Sequence, residues 1–287
     1  MKNLEMAAWC IGTLLISLVL LLALAKRRKQ SLGKWPTSEK MLRPPGESLR
    51  LHLEKLDEKL LKFVGHFLIA SLLAGIFFNM AYVFRNLSPW PVLIFAGMGI
   101  ALIWASYRPL FSLQTQFLNN TLGFHGERIV GEQLNRLMLD GCEVFHDLQL
   151  ADNWNIDHVI VSPYGVFAVE TKGRRKPDVA DGYKVIFTGS ELQFPNGTDR
   201  SSLQQATDSA RQLAGFLTKS TGEHVEVAPI LTFPGWYVEL KGKGNVHVLN
   251  PKLIGSVVLD SRRPLLDEAR RKRICFQLEQ KCRDVEM

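Results

Sequence analysis

Apolar residues are laid out in two different ways along this 287-residue chain. Up to Tyr107 they gather in long runs: residues 7–25, 63–84 and about 90–107 are each apolar or small over a length that can cross a bilayer as a helix. Beyond that point the runs shorten and take on the periods of a folded domain. Val130, Leu134, Leu137 and Met138 recur at helical spacing within residues 121–140, and Leu203, Ala206, Ala210, Leu213 and Leu217 do so within 202–219. A third helix is expected at 265–282. Strands are expected near 143–150, 184–188, 225–233 and 245–249, and the unbroken run 228–233 reads as a central strand covered on both faces. The clearest local signal is NIDHVIVSPYGVFAVETK, residues 155–172, two Val- and Ile-rich arms broken by Pro163 and Gly165. It predicts a β-hairpin. The pattern as a whole predicts an α/β domain, a mixed sheet flanked by helices, preceded by an all-α membrane region of three helices.

Charge changes this picture in one respect. The chain carries net +7, which invites a nucleic-acid reading, but from Leu122 onward there are 21 Lys or Arg against 22 Asp or Glu. The excess lies in the first 121 residues, as a topology signal does. Eleven Lys or Arg fall between Lys26 and Lys62, against Arg85 alone in the short connection 85–89. Spans two and three therefore read as a helical hairpin, with the basic segment and everything after Arg108 in the cytoplasm, the N-terminus outside, and the inner membrane of a bacterium as the location. Ala23-Leu24-Ala25 resembles a cleavage site, but a basic cluster follows at once, so the first span reads as an uncleaved anchor. Residues 33–50, with Pro36, Pro44 and Pro45, read as linker. Gly97-Met98-Gly99 reads as a place where helices approach closely.

The hairpin carries the candidate chemistry. If Val161 faces Val166, four steps back along each arm set Asp157 opposite Glu170, and Lys172 shares the Glu170 face. Two neighbouring carboxylates repel unless a proton, a cation or a lysine offsets them. Hard carboxylate oxygens suit Mg²⁺ or Mn²⁺, which take one or two protein carboxylates together with substrate phosphate oxygens. Phosphodiester chemistry follows, with Asp157, Glu170 and the Thr171 backbone carbonyl holding the metal and Lys172 serving the attacking water and the transition-state charge. The competing reading is a surface ion pair. It is weakened because Glu170 ends a run, Val166 to Val169, that looks buried.

The ordered set Gly126-Glu127, Asn155-Ile156-Asp157-His158, Gly165-Val166-Phe167 and Glu170-Thr171-Lys172 resembles the NERD (nuclease-related) domain, a branch of the PD-(D/E)XK nuclease superfamily. The resemblance covers roughly residues 121–254 and implies a restriction-endonuclease-like fold. It implies Asp157 and Glu170 as metal ligands, Lys172 as the catalytic lysine, and supporting roles for Glu127 and Gln205. The sequence departs from the superfamily pattern at Ile156, where its name implies proline, and at Ser201-Ser202, where Asn-Pro is usual ahead of the helical glutamine. From the residues alone, Glu127 continues the apolar stripe of its helix and is equally a first-turn glutamate favoured by the helix dipole. Gln205 lies on the flank of its stripe, where an exposed side chain is commoner.

Arg174, Arg175 and Lys176 follow Lys172 directly, where a nucleic-acid backbone would pass. Arg262-Arg263 and the basic run Arg270 to Arg273 flank the last helix without deciding between phosphate, lipid and solvent. Four cysteines without a CxxC pair, and histidines without metal spacing, give neither a disulfide framework nor a zinc site. The expected organisation is thus an anchor at 1–30, a cytoplasmic linker and short amphipathic segment at 31–62, a transmembrane hairpin at 63–108, a nuclease-like domain at 109–260 and a basic helix at 261–287. The expected activity is metal-dependent hydrolysis of DNA, in preference to RNA, beside a lipid bilayer. The alternatives are a catalytically weak module that tethers nucleic acid to the membrane, and a membrane subunit whose soluble part is a scaffold.

Overall fold

The computed structural model describes residues 40–86, 89–151 and 154–285. The first expected span, residues 7–25, lies outside them. By its contacts the described chain forms two units: residues 59–112, and residues 40–58 together with 113–285.

The first unit is helical. Helix α1 runs Glu47–Phe84 and α2 runs Pro89–Asn135. Both are long and apolar enough to cross a membrane by length and composition, with mean hydropathies of 2.1 and 1.6 over their most apolar windows. Two such helices are described, not three. Large apolar side chains such as Leu68, Ile69, Val83, Leu93 and Ile100 stand exposed along them, a surface suited to lipid rather than water. Phe95 stacks against Phe77 and Phe84, and the Phe78 ring lies 3.0 Å from where a Cβ on Gly99 would sit. Gly99 thus permits the close approach expected of it. Pro89 opens α2, where its missing N–H costs nothing. Pro109 lies inside α2, so the helix expected to begin at residue 121 is the continuation of the third apolar run.

The second unit is α/β, as the periodicity predicts. Strands β2 (Glu143–Ala151), β3 (Trp154–Ser162), β4 (Gly165–Thr171), β8 (Val227–Thr232) and β10 (His247–Leu249) form a five-stranded sheet in the order β10-β8-β4-β3-β2. The pairs β2/β3 and β3/β4 are antiparallel, and β4/β8 and β8/β10 are parallel. Alternation along the central strands sends side chains to two separate cores. Val159, Val161, Val166 and Ala168 meet helices α3 (Ser201–Thr221) and α5 (Glu268–Cys282) through Ala210, Leu213, Ile274 and Leu278. Ile160, Phe167 and Val169 meet Val130 and Leu134 of α2 and the short helix α4 (Ile254–Val258). A second sheet is ordered β7-β6-β5-β9, from β5 (Lys184–Phe187), β6 (Leu192–Phe194), β7 (Gly197–Asp199) and β9 (Tyr237–Leu240). It closes over a third core around Trp236, Phe233 and Leu192.

Two details depart from the sequence pattern. Helix α2 ends at Asn135 and continues as a 3₁₀ turn, Arg136–Asp140, whose tighter winding turns the stripe away. Met138 is accordingly half exposed. The stretch read as linker also carries structure: β1 (Met41–Leu42) pairs with the C-terminal strand β11 (Arg283–Val285), and α1 begins at Glu47. Arg43 and Glu47 there are buried.

Candidate active site

The hairpin folds in the register that its turn predicts. Val161 pairs with Val166 and His158 with Val169, so Asp157 and Glu170 occupy the next facing positions. Both are buried. The Thr171 N–H donates to Asp157 Oδ2 at 2.7 Å, fixing the aspartate at the strand end. Lys172 Nζ is 2.9 Å from Glu170 Oε1 and donates to Gln205 Oε1 at 2.8 Å, while Gln205 Nε2 donates to Glu170 Oε1 at 2.6 Å. Glu170, Lys172 and Gln205 therefore close a three-membered network, and the glutamine sits at the site rather than in solvent. His158 takes no part in it; its Nδ1 lies 2.9 Å from His146 Nδ1 in a separate buried pair.

Gln205 arrives because the start of α3 is pinned. Asp199 accepts from the N–H and hydroxyl of Ser202 and from the hydroxyl of Ser201, so the serines standing in place of Asn-Pro anchor this helix by hydrogen bonds. Arg174 Nη1 lies 3.8 Å from Asp199, Nη2 donates to Asn196, and the guanidinium stacks 3.8 Å from the Phe194 ring centre. Arg174 thus braces the helix start, whereas Arg175 and Lys176 are exposed. At the far end of the domain, Arg270 and Arg273 both pair with Glu223, and Arg262 pairs with Asp260.

Glu127 reaches the cluster from α2 because backbones touch. A Cβ on Gly173 would meet the Leu122 carbonyl oxygen at 2.8 Å, and Gly126 lies against Gly173 and Pro234. Glycine at 173 lets the helix come this near to the chain just after Lys172. Glu127 is buried, and its Oε2 has no hydrogen-bond partner; Glu170 Oε2 has none either.

Three buried carboxyls thus share one lysine. Burial raises the Glu127 pKa to about 8, with Asp147 and Glu170 adding to the rise and Lys172 opposing it. Asp157 is raised well above its ordinary value, first by burial, then by Glu170 and Glu127, with the Thr171 N–H and Lys172 opposing. Burial likewise raises Glu170, against the charge and hydrogen bond of Lys172. The Ser209 hydroxyl, one helical turn beyond Gln205, also favours ionised Glu170, though it lies outside the geometry of a formed hydrogen bond. Sequence reasoning missed Ser209, although its i, i+4 spacing from Gln205 was the available signal.

This is a negative-charge deficit of compensation: at neutral pH the group prefers to hold protons or a cation. No three His, Cys, Asp or Glu side chains among the described residues are gathered as a closed metal site. A hard divalent ion does not require one, since Mg²⁺ takes one or two carboxylates and fills its remaining positions with water and substrate. The donor set fits such an ion: two neighbouring carboxyls, one with a buried oxygen lacking a partner. The structure shows Thr171 engaged through its N–H.

No curated protein and no solved structure matches the chain. Residues 122–234, which contain every residue of this cluster, match the family model of the nuclease-related domain, and this stretch of the chain is therefore a NERD domain.

Proposed function

We propose that this protein is a membrane-anchored, divalent-metal-dependent nuclease that hydrolyses phosphodiester bonds, of DNA in preference to RNA, on the cytoplasmic face of a cell membrane. The observation that carries this reading is the buried group Glu127, Asp157 and Glu170 with Lys172 inside the NERD match. A fold does not bury three carboxyls around a single ammonium for stability. The two long apolar helices support the anchoring, and the lysine-rich segment before residue 62 supports the orientation.

In this reading Asp157 and Glu170, with the Thr171 carbonyl, would hold Mg²⁺ or Mn²⁺. The ion supplies Lewis-acid stabilisation of the charge that builds on the phosphoryl oxygens. Lys172 turns from Glu170 toward the incoming phosphate and water, orients the water in line with the bond to be broken, and offsets the developing charge. Gln205 is a positioning residue: by bonding both Glu170 and Lys172 it holds the resting arrangement from which the lysine turns. Glu127 tunes the charge of the pair, because its own carboxyl, raised to about 8, adds or removes one negative charge beside them. Arg175 and Lys176 lie exposed beyond the site and suit the nucleic-acid backbone.

The test is incubation of the full chain in detergent with supercoiled plasmid, linear duplex, single-stranded DNA and RNA, comparing Mg²⁺ or Mn²⁺ with EDTA. Cleavage that needs metal and disappears in Glu170→Ala and Lys172→Ala is the expected result. Binding without cleavage by the folded protein would replace this reading with a membrane tether for nucleic acid.

A further inference from the structure

The turn after β8 abuts the chain next to the carboxyl cluster and carries a feature that hydrolysis alone does not call for. Where β8 ends, the Thr232 carbonyl accepts the Lys172 N–H at 2.9 Å, and the chain runs on through Pro234 and Gly235 to Trp236. Trp236 Nε1 donates to the Arg174 carbonyl at 3.1 Å, and Pro234 sits against Gly126, the neighbour of Glu127. This turn lines an open cavity of about 430 Å³, together with Lys176, Tyr183, Tyr237 and Lys252. Its volume is in the range of small-ligand sites. None of the described residues lining it is acidic. A second cavity of about 340 Å³ shares Trp236, Tyr237, Asn250 and Lys252 with the first.

The tyrosines are poorly placed for a core and well placed for a ligand. Tyr183 is 49% and Tyr237 57% exposed, yet both are tethered: Tyr237 opens β9, and its N–H donates at 2.9 Å to the carbonyl of Tyr183, the turn residue just before β5. Rigid, half-exposed aromatic rings bordered by ammonium groups match two surfaces of a nucleotide: its π-face and its phosphate. The flanking basic charge comes from Lys176, whose Nζ lies 3.8 Å from the Cβ position of Gly235, and from Lys252. A base inside a duplex already has both faces stacked, so only an unpaired base can lie on these rings.

We propose that the paired cavities around Tyr237 form a subsite for unpaired nucleotides, in which bases stack on Tyr183 and Tyr237 while Lys176 and Lys252 pair with the flanking phosphates. This rests on the nuclease reading and deepens it: the strand that reaches the cluster is single-stranded at that point, as in a frayed end, a flap or a displaced strand. The Thr232–Lys172 and Pro234–Gly126 contacts tie the turn that lines the subsite to the chain that carries the cluster.

The test uses the full chain in detergent with EDTA, so that binding is read without turnover. Fluorescence anisotropy of a labelled single-stranded oligonucleotide is compared with that of its duplex over a salt series. Tyr183→Ala and Tyr237→Ala should each weaken single-strand binding about 5- to 150-fold and leave duplex binding within about twofold, whereas Tyr237→Phe retains the affinity. Lys252→Gln should flatten the single-strand salt slope by about 0.7. Equal losses on both substrates, no loss on either, or a wild-type chain that binds neither would overturn the subsite. If the subsite fails while metal-dependent cleavage is lost in Glu170→Ala, the nuclease reading stands; selective single-strand binding without any cleavage would sink that reading and leave the subsite.

Discussion

Asp147 and Asp157 occupy matching positions on neighbouring strands, between the His146–His158 and Leu148–Ile156 pairs, and both are buried. Their surroundings are opposite. Asp147 receives Arg43 Nη1 at 2.9 Å, the Ser48 N–H at 2.7 Å, the Ser48 hydroxyl at 2.8 Å and Asn155 Nδ2 at 3.0 Å. Asp157 receives the Thr171 N–H and faces the charges of two glutamates. The first is a carboxylate whose desolvation is repaid by an arginine and neutral donors, and it holds Arg43 and the first turn of α1 onto the sheet. The second is left under-compensated. Burial with full satisfaction marks a residue that serves the fold; burial with a deficit marks one that waits for a ligand.

The comparison is broken most severely by removing Arg43. Arg43→Ala leaves Asp147 charged and buried without its cation, and should destabilise the domain by about 3–5 kcal/mol. Thermal unfolding of the full chain, followed by tryptophan fluorescence, measures this. Lys172→Ala should do the reverse: it costs little stability but lowers the cleavage rate about 100- to 1,000-fold, or about 3–4 kcal/mol in the barrier. Single-turnover kinetics with saturating metal give the number. A loss of folding equal to that of Arg43→Ala would place Lys172 among the structural residues instead.

Asp157→Asn sharpens the contrast through its sign. It removes a charge from a crowded site while keeping an oxygen for the Thr171 N–H, so the metal-free fold should gain about 1 kcal/mol at pH 8, or about 2–4 °C, while activity is lost. A pH scan carries the same logic to the wild type. Glu127 stands at 4.5 ordinarily and about 8 in the fold, so its protonated form is the favoured one there. Its contribution is complete below pH 4.5 and is lost as the pH rises through about 8. His146, lowered by burial from 6.5 to about 4, acts on the acid side: stability is complete above pH 6.5 and falls as the pH drops toward 4. The two windows overlap and offset each other between about pH 4.5 and 6.5, so the metal-free melting temperature should be highest there and fall on either side. Mg²⁺ should flatten the alkaline limb alone, and Glu127→Gln should remove most of that limb.

The sequence was most readable where structure is local. The hairpin register, and with it Asp157, Glu170 and Lys172, follows from two short β-branched arms around one Pro–Gly turn. Glu127 was legible as the continuation of a helical stripe. Gln205 was not legible from pattern, because its place depends on Asp199 fixing the start of α3 and on the twist that brings that helix over Glu170. Arg43 and Ser48 were illegible for a stronger reason. A short polar stretch around two prolines looks like linker, and its ion pair to Asp147 spans 104 residues, which no local period records. The short strands β6, β7 and β9 likewise exist through their sheet and core rather than through any alternation long enough to read.

Calorimetric titration of Mn²⁺ into the metal-free full chain at pH 6 and pH 8 tests the deficit directly, with Asp157→Asn, Glu170→Gln and the distal Asp260→Asn alongside. The account predicts one site that binds more tightly at pH 8, releases protons on binding, disappears in the first two variants and persists in the third. Binding that is insensitive to pH and survives in Glu170→Gln would contradict it.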